Sequence, residues 1–291
     1  MNELLLPSNL IQGTQWDPDP RRSDWLKRLP SIVSDLTQRW DLELGDPYEP
    51  GGQCSWVAPA RTRAGEALVL KVGWRHAEAL HEADGLKYWD GNGVVRVHAD
   101  HMLDDTIALL LERCEPGTGL CRLPEPDQDV VVCGLLPRLW REPADEHEFP
   151  SLHDMCNDWA DGYQEKVARE GSQLDPGIAR VGLELFRTLS ASADRRVMLA
   201  TDLHAENILA AQREVWLLID PKPHVGDPVY DVLQHMLNCD RLFTEPVGLA
   251  NRLASMLDLD PARLLAWLFA RCVQESPGWR GMAEVATRLA P

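Results

Sequence analysis

The stretch Met198 to Asp231, MLATDLHAENILAAQREVWLLIDPKPHVGDPVYD, sets two carboxylates and an amide around a short strand-rich island. Asp202 and Asn207 stand five residues apart, and Asp220 follows thirteen residues later, at the end of the apolar run Val215 to Ile219. A phosphoryl-transfer centre needs one carboxylate to orient and deprotonate an attacking hydroxyl. It also needs oxygen ligands for the metal ions that neutralise a triphosphate. Asp202, Asn207 and Asp220 supply that set. Singly, each has an ordinary structural use as a helix cap, a turn former or a strand terminator. Their joint spacing, with Lys71 upstream, points to chemistry.

Working outward, Trp25, Leu29, Ile32, Val33, Leu36 and Trp40 recur at helical spacing, so a helix is expected over Ser23 to Trp40, with Ser23 and Asp24 as caps. A strand, a loop and a strand follow over Tyr48 to Val72. Lys71 lies inside the second apolar run, between Leu70 and Val72. A helix from His76 to Trp89 closes at the glycines of Asp90-Gly91-Asn92-Gly93, and strands are expected at Val94 to Ala99 and Thr106 to Glu112. Beyond Glu115-Pro116-Gly117 the pattern turns helical, with segments at 151–169, 175–192, 246–257 and 261–274 around the island at 198–220. This order predicts an α+β, protein-kinase-like bilobal fold: a small β-rich lobe over residues 1–115 and a larger, mainly helical lobe over 116–291.

The central block resembles the catalytic loop and metal-binding strand of the aminoglycoside phosphotransferase superfamily. The likeness is strongest to its streptomycin 6-kinase and hydroxyurea kinase branch. It is carried by Asp202-Leu203-His204-x-x-Asn207-Ile208-Leu209, Ile219-Asp220-Pro221-Lys222-Pro223 and Val225-Gly226-Asp227-Pro228. The resemblance implies Asp202 as the catalytic carboxylate and Asn207 and Asp220 as Mg²⁺ ligands. Leu68 to Val72 resembles the family's phosphate-binding lysine strand and 82–91 the helix after it, so Lys71 would hold ATP phosphates and Glu82 would pair with it. Glu78 is the competing partner. Gly51, Gly52 and Ser55 fall in the position of the phosphate loop. Leu109 to Cys114 resembles the adenine-contacting hinge, where backbone atoms of Glu112 and Cys114 would matter. His204 and Asp231 read as supports of the catalytic loop. One departure is visible: Ala200-Thr201 stands where many members carry His-Gly, whose histidine usually supports the loop geometry.

The acceptor is less determined. Asp154, Asp158, Asp161 and Glu165 fall on one face of a helix over 151–169. That stripe is either solvated or a landing site for an amino or guanidino sugar. Asp227, Gln274 and Glu275 are further candidates for acceptor contact. The eleven tryptophans read mainly as core, with Trp56 and Trp279 placed near the expected ligand segments.

With 46 acidic against 29 basic residues the net charge is −17, which disfavours nucleic acid and anionic membrane surfaces and slightly favours a cationic acceptor. Seven scattered cysteines without a C-x-x-C pair indicate a reducing compartment, and Met1 to Leu10 lacks the pattern of a secretory signal, so a cytoplasmic location is expected. No obligatory protein partner is indicated. Neither a G-x-S-x-G elbow nor a G-x-x-x-x-G-K-[ST] loop occurs. The resemblance therefore implies an ATP- and Mg²⁺-dependent O-phosphotransferase for a streptomycin-like aminoglycoside, conferring resistance. Hydroxyurea, or an amino sugar or other metabolite, is the alternative acceptor. A nucleotide-binding sensor without catalysis is the alternative of another class.

Overall fold

The computed structural model describes residues 4–16 and 19–291, so the first three residues of the Met1 to Leu10 segment read above lie outside the described residues. The chain divides into two units, Met1–Gly117 with Ala210–Leu217, and Thr118–Leu209 with Leu218–Pro291.

In the first unit the order is α1 (Ser8–Trp16), α2 (Pro20–Arg39), β1 (Leu42–Leu44), β2 (Ser55–Thr62), β3 (Ala67–Trp74), a 3₁₀ turn (Ala77–Ala79), α3 (Glu82–Trp89), β4 (Val97–Met102) and β5 (Thr106–Glu112). The five strands form one antiparallel sheet in the order β1-β2-β3-β5-β4, with Lys71 opposite Val57 on one side and Leu109 on the other. Alternation along β3 sends Leu68, Leu70 and Val72 into a core shared with Trp25, Leu29, Val33 and Leu36 of α2, which puts Lys71 on the opposite face. The buried Trp25 indole anchors that packing by donating to Thr106 Oγ1 at 3.0 Å.

Helix α2 starts earlier than its apolar spacing implies. Asp19 is the N-cap, accepting the Arg21 N–H, and Pro20 occupies the first turn, where its missing N–H removes no hydrogen bond. The segment before Ser55 is a loop rather than the start of β2, and the expected helix over 76–89 is a 3₁₀ turn followed by α3.

The remaining elements are α4 (Glu125–Leu139), α5 (Leu152–Asp161), α6 (Tyr163–Glu170), α7 (Pro176–Ala191), β6 (Val197–Leu199), β7 (Ile208–Ala210), β8 (Trp216–Leu218), β9 (His224–Gly226), α8 (Leu233–Leu237), α9 (Arg241–Thr244), α10 (Pro246–Leu257), α11 (Pro261–Glu275) and α12 (Arg280–Leu289). β6 pairs with β9, and β7 with β8. The single helix expected over 151–169 is two helices, α5 and α6, that meet at Gly162. Helix α4 has no counterpart in the sequence reading because Val130 to Leu136 reads as a continuous apolar run. Val130 in fact faces solvent, while Val132, Leu135, Leu136 and Leu139 are buried.

Helices α7 and α11 pack closely, with Phe186, Trp267 and Tyr230 in edge and tilted contacts at centroid distances of 5.1–6.3 Å. Gly182 permits that approach, since a Cβ there would meet Val273 Cβ at 2.7 Å. Gly182→Ala is therefore predicted to destabilise by roughly 1–3 kcal/mol through overpacking, despite the better helix propensity of Ala. Urea unfolding checks this; a variant as stable as the parent or more so would contradict the packing argument.

Candidate active site

In the first unit, Lys71 Nζ donates to both carboxylate oxygens of Glu82 at 2.7 Å. Both side chains are largely buried, at 13% and 3% exposure, so removing either would leave a poorly solvated charge. Glu82 lies in the first turn of α3, where the helix dipole favours a carboxylate. Glu78 is exposed in the 3₁₀ turn.

The Gly51-Gly52 loop is held from the N-terminal side. Asn9 donates through its backbone N–H to the Pro50 carbonyl at 3.0 Å and through Nδ2 to the Gly51 carbonyl at 2.9 Å. Arg22 Nη2 donates to the Gln53 carbonyl at 2.6 Å. Gly51 has φ +73°, and a Cβ there would fall 2.6 Å from Pro7 Cβ, so glycine is required by packing as well as by backbone conformation. Ser55 is buried at the start of β2. Trp56 is a core residue whose indole donates to the Leu5 carbonyl at 2.9 Å, and Trp279 is exposed beside Phe243.

At the expected hinge, the Glu112 N–H is taken by the Arg96 carbonyl at 2.8 Å. Its carboxylate receives Arg213 Nε and Nη2 at 2.8 and 2.9 Å. The same guanidinium reaches the carbonyls of Gly91 and Val94 at 2.6 and 2.8 Å. Burial raises the Glu112 carboxyl, but the Arg213 hydrogen bonds and the Arg96 N–H outweigh it and hold it below its ordinary value. Burial, aided by Glu112, pushes the half-buried Cys114 thiol up to about 12, so it is no nucleophile at neutral pH.

In the second unit, the turn after β6 carries Asp202. The carboxylate of Asp231 accepts the N–H groups of Ala200 at 3.1 Å and Thr201 at 2.7 Å, and the Trp140 indole at 3.2 Å. Thr201 sits at φ +48°, a strained conformation for a β-branched residue. Its hydroxyl donates to the Lys222 carbonyl at 2.5 Å, tying the turn to the segment after Asp220. The Lys222 N–H returns a bond to the Ala200 carbonyl at 2.7 Å. The Ala200-Thr201 turn is thus fastened at four points without the His-Gly pair.

Asn207 Nδ2 donates to the Asp202 carbonyl at 3.0 Å and to Asp202 Oδ2 at 3.3 Å, which turns its amide oxygen away from Asp202. The Ile219 N–H donates to the Asn207 carbonyl at 2.8 Å, bringing Asp220 beside the loop. Asp220 itself has φ +52°, and Lys222 Nζ donates to its Oδ1 at 2.5 Å. His204 lies with Nε2 3.8 Å from Asp202 Oδ1, and burial lowers its pKa against the opposing pull of Asp202, Glu206 and Asp220.

The acceptor candidates separate. Asp154 and Asp158 are exposed on α5, and Asp161 pairs with Arg187. Asp227 is buried and already holds Arg263, the Trp267 indole and the Val229 N–H at 2.6–3.0 Å, so it is an internal tie. Gln274 is buried against Arg271. Glu275 is bound by Arg271 and by Lys166 at 3.1 Å. Burial raises the Glu275 carboxyl, yet Arg271 and Lys166 hold it below its ordinary value. Arg271 also stacks over Trp159 at 4.7 Å.

A second buried knot joins Asp129, His235 and Cys239, whose ligand-type atoms lie within 4.8 Å of one another. Asp129 also receives Arg241 and Arg252 at 2.8 Å each, two cations that a metal ion would have to displace. Burial raises this carboxyl, but the bonds from His235, Arg241 and Arg252 prevail and hold it far below the usual range. The knot ties α4 to the α8–α10 segment.

The sequence carried little sign of several of these contacts. The Lys222–Asp220 pair and the Arg213 clamp depend on backbone turns that place side chains together, and no spacing rule predicts them.

Residues 39–282 match the family model described as aminoglycoside/hydroxyurea antibiotic resistance kinase. A streptomycin 6-kinase of Streptomyces glaucescens is 33% identical over 265 residues, covering 87% of this chain and 83% of that protein. A hydroxyurea phosphotransferase of Kitasatospora aureofaciens is 32% identical over 273 residues, covering 92% and 78%. Among solved structures, a choline kinase from Cryptosporidium parvum aligns with TM-score 0.59 at 12% identity, over 89% of this chain and 93% of that one. The fold is therefore that of the protein-kinase-like small-molecule phosphotransferases. Within that class, the chain belongs to the aminoglycoside/hydroxyurea antibiotic resistance kinase family. No helix among the described residues is long and apolar enough to cross a membrane.

Burial pushes the Asp231 carboxyl up to about 6, against the lowering effect of the Ala200 and Thr201 N–H groups and the Trp140 indole. A carboxyl whose folded pKa exceeds its unfolded value favours folding at pH below the unfolded pKa, and that contribution is lost as pH rises through the folded pKa. Between pH 4 and 7 the parent is predicted to lose roughly 2 kcal/mol relative to Asp231→Asn, read as the difference between their unfolding free energies. A difference independent of pH would contradict this assignment. Thr201→Val is predicted to lower kcat by about tenfold with little change in the KM for ATP, and Thr201→Ser to restore it, as loss of one positioning hydrogen bond implies. Equal kcat values for the Val variant and the parent would show that the hydroxyl does not hold the turn.

Proposed function

We propose that this protein transfers the γ-phosphoryl group of ATP to a hydroxyl of a streptomycin-like aminoglycoside, the activity for which its 33%-identical relative is named. The observation that supports the reading is the Asn207 amide fastened to Asp202 with its oxygen turned away, while the Ile219–Asn207 backbone bond brings the Asp220 carboxylate, bonded to Lys222, beside the loop. Both are hard oxygen ligands, the donor class that suits Mg²⁺. When bound there, Mg²⁺ supplies charge neutralisation for the triphosphate.

In this reading Asp202 orients the acceptor hydroxyl and takes its proton as the new O–P bond forms and the bond to the ADP oxygen breaks. Lys71, held straight by Glu82, binds ATP phosphates, and the Gly51-Gly52 loop lies over them. Adenine contacts fall to the Glu112 carbonyl and the Cys114 N–H, because the Glu112 N–H is already used. Arg213 fixes that strand end. For the acceptor, Asp154 and Asp158 are exposed on α5, which packs against β9, as is Asp161, which pairs with Arg187, whereas Asp227 and Gln274 are committed internally. The excess of acidic residues suits a cationic acceptor, and the product would be a phosphorylated, inactivated antibiotic.

The test is ADP release with Mg-ATP and, separately, streptomycin, a deoxystreptamine aminoglycoside, hydroxyurea, glucosamine or no acceptor. Streptomycin is expected to stimulate release most. Stimulation by hydroxyurea alone would move the acceptor to that of the 32%-identical relative. Nucleotide binding with no stimulation would favour a sensor. Asp202→Ala is expected to lower kcat by about 10²–10⁴-fold, the range of a lost general base, while ATP still binds. An unchanged kcat would overturn the role of Asp202.

A further inference from the structure

Lys222 stands between Pro221 and Pro223, and its backbone is fixed on both sides. Its N–H donates to the Ala200 carbonyl at 2.7 Å, and its carbonyl accepts from Thr201 Oγ1 at 2.5 Å and lies 3.0 Å from His224 Nδ1. From that anchored position its ammonium reaches Asp220 Oδ1 at 2.5 Å and the Asp220 carbonyl at 3.4 Å. The lysine side chain is only 17% exposed, and Asp220 is its one salt-bridge partner among the described residues. The left-handed backbone of Asp220 fixes where its carboxylate points. A built-in cation therefore occupies the carboxylate assigned above to the metal.

We propose that Lys222 is a charge lock on Asp220 that makes divalent-cation binding depend on nucleotide. The inference rests on the reading of Asp220 as a metal ligand. In the absence of a polyphosphate, the ammonium and a divalent cation compete for one carboxylate, and their like charges repel at short range. A metal-bound nucleotide brings phosphate oxygens that give the ammonium a replacement partner. Metal alone is therefore held weakly, and metal with nucleotide is held well. Lys222 acts through Asp220 and is a positioning residue.

The test uses Mn²⁺ as the probe, its binding followed by electron paramagnetic resonance with and without the non-hydrolysable analogue AMP-PNP. The variants are Lys222→Met, Lys222→Arg, Lys222→Gln and Asp220→Asn. Without nucleotide, Lys222→Met is expected to bind Mn²⁺ at least about tenfold more tightly than the parent, a shift of one decade in Kd. With the analogue present that gain is expected to vanish. Lys222→Arg, which keeps the charge, is expected to stay close to the parent, and Lys222→Gln serves in place of the methionine variant if that one fails to fold. Unchanged or weaker nucleotide-independent Mn²⁺ binding in the neutral variants overturns the lock. Asp220→Asn is expected to abolish Mn²⁺ binding. If it leaves binding intact, the metal reading of Asp220 fails instead, and a tightening in the Lys222 variants would then have another origin.

Discussion

The carboxylate of Asp231 is completely buried, and it is answered by three N–H groups rather than by a guanidinium or ammonium. Two of them belong to the turn that delivers Asp202. A tight turn leaves its amides pointing inward, and buried amides without acceptors are costly. Asp231 removes that cost at Ala200 and Thr201 together, and the Trp140 indole fixes the carboxylate from the other side. The strained backbone of Thr201 persists because its hydroxyl and N–H are both engaged. The rest of the second-unit site hangs on this arrangement: the turn positions Lys222, Lys222 meets Asp220, and Asn207 bridges to Asp202.

The molecule places its charge unevenly. Its surface is acidic, yet its interior ties repeatedly set one carboxylate against one or two guanidiniums, as at Asp129, Asp227 and Glu275. Breaking such a buried pair from one side leaves an uncompensated charge, which makes these ties rigid and removes them from ligand binding. Asp231 and the Asp202 loop differ, since their carboxylates are held by N–H donors or stand near solvent.

Much of this was legible in the sequence where chemistry and spacing coincide. The loop from Asp202 to Asn207, the strand ending at Asp220, and Lys71 in an apolar run all reflect short-range constraints that one chain segment records. The choice between Glu78 and Glu82 was harder, because both lie within one helical stretch, and the 3₁₀ turn that exposes Glu78 decides it. Asp227 and Gln274 looked like ligand contacts because polar residues near a motif resemble binding groups, but partners 36 residues away at Arg263, and three away at Arg271, absorb them. Gly162 broke the acidic stripe because its backbone ends one helix and begins the next. Helix α4 was hidden by a solvent-facing valine inside an apolar run.

The proposed reaction requires that phosphorus move from ATP to an acceptor hydroxyl. The direct measurement is ³¹P NMR of streptomycin incubated with the protein and Mg-ATP, with mass spectrometry of the product. A new phosphomonoester resonance, a product heavier by one phosphoryl group and stoichiometric ADP are predicted. ADP accompanied only by inorganic phosphate, with unmodified streptomycin, would contradict it.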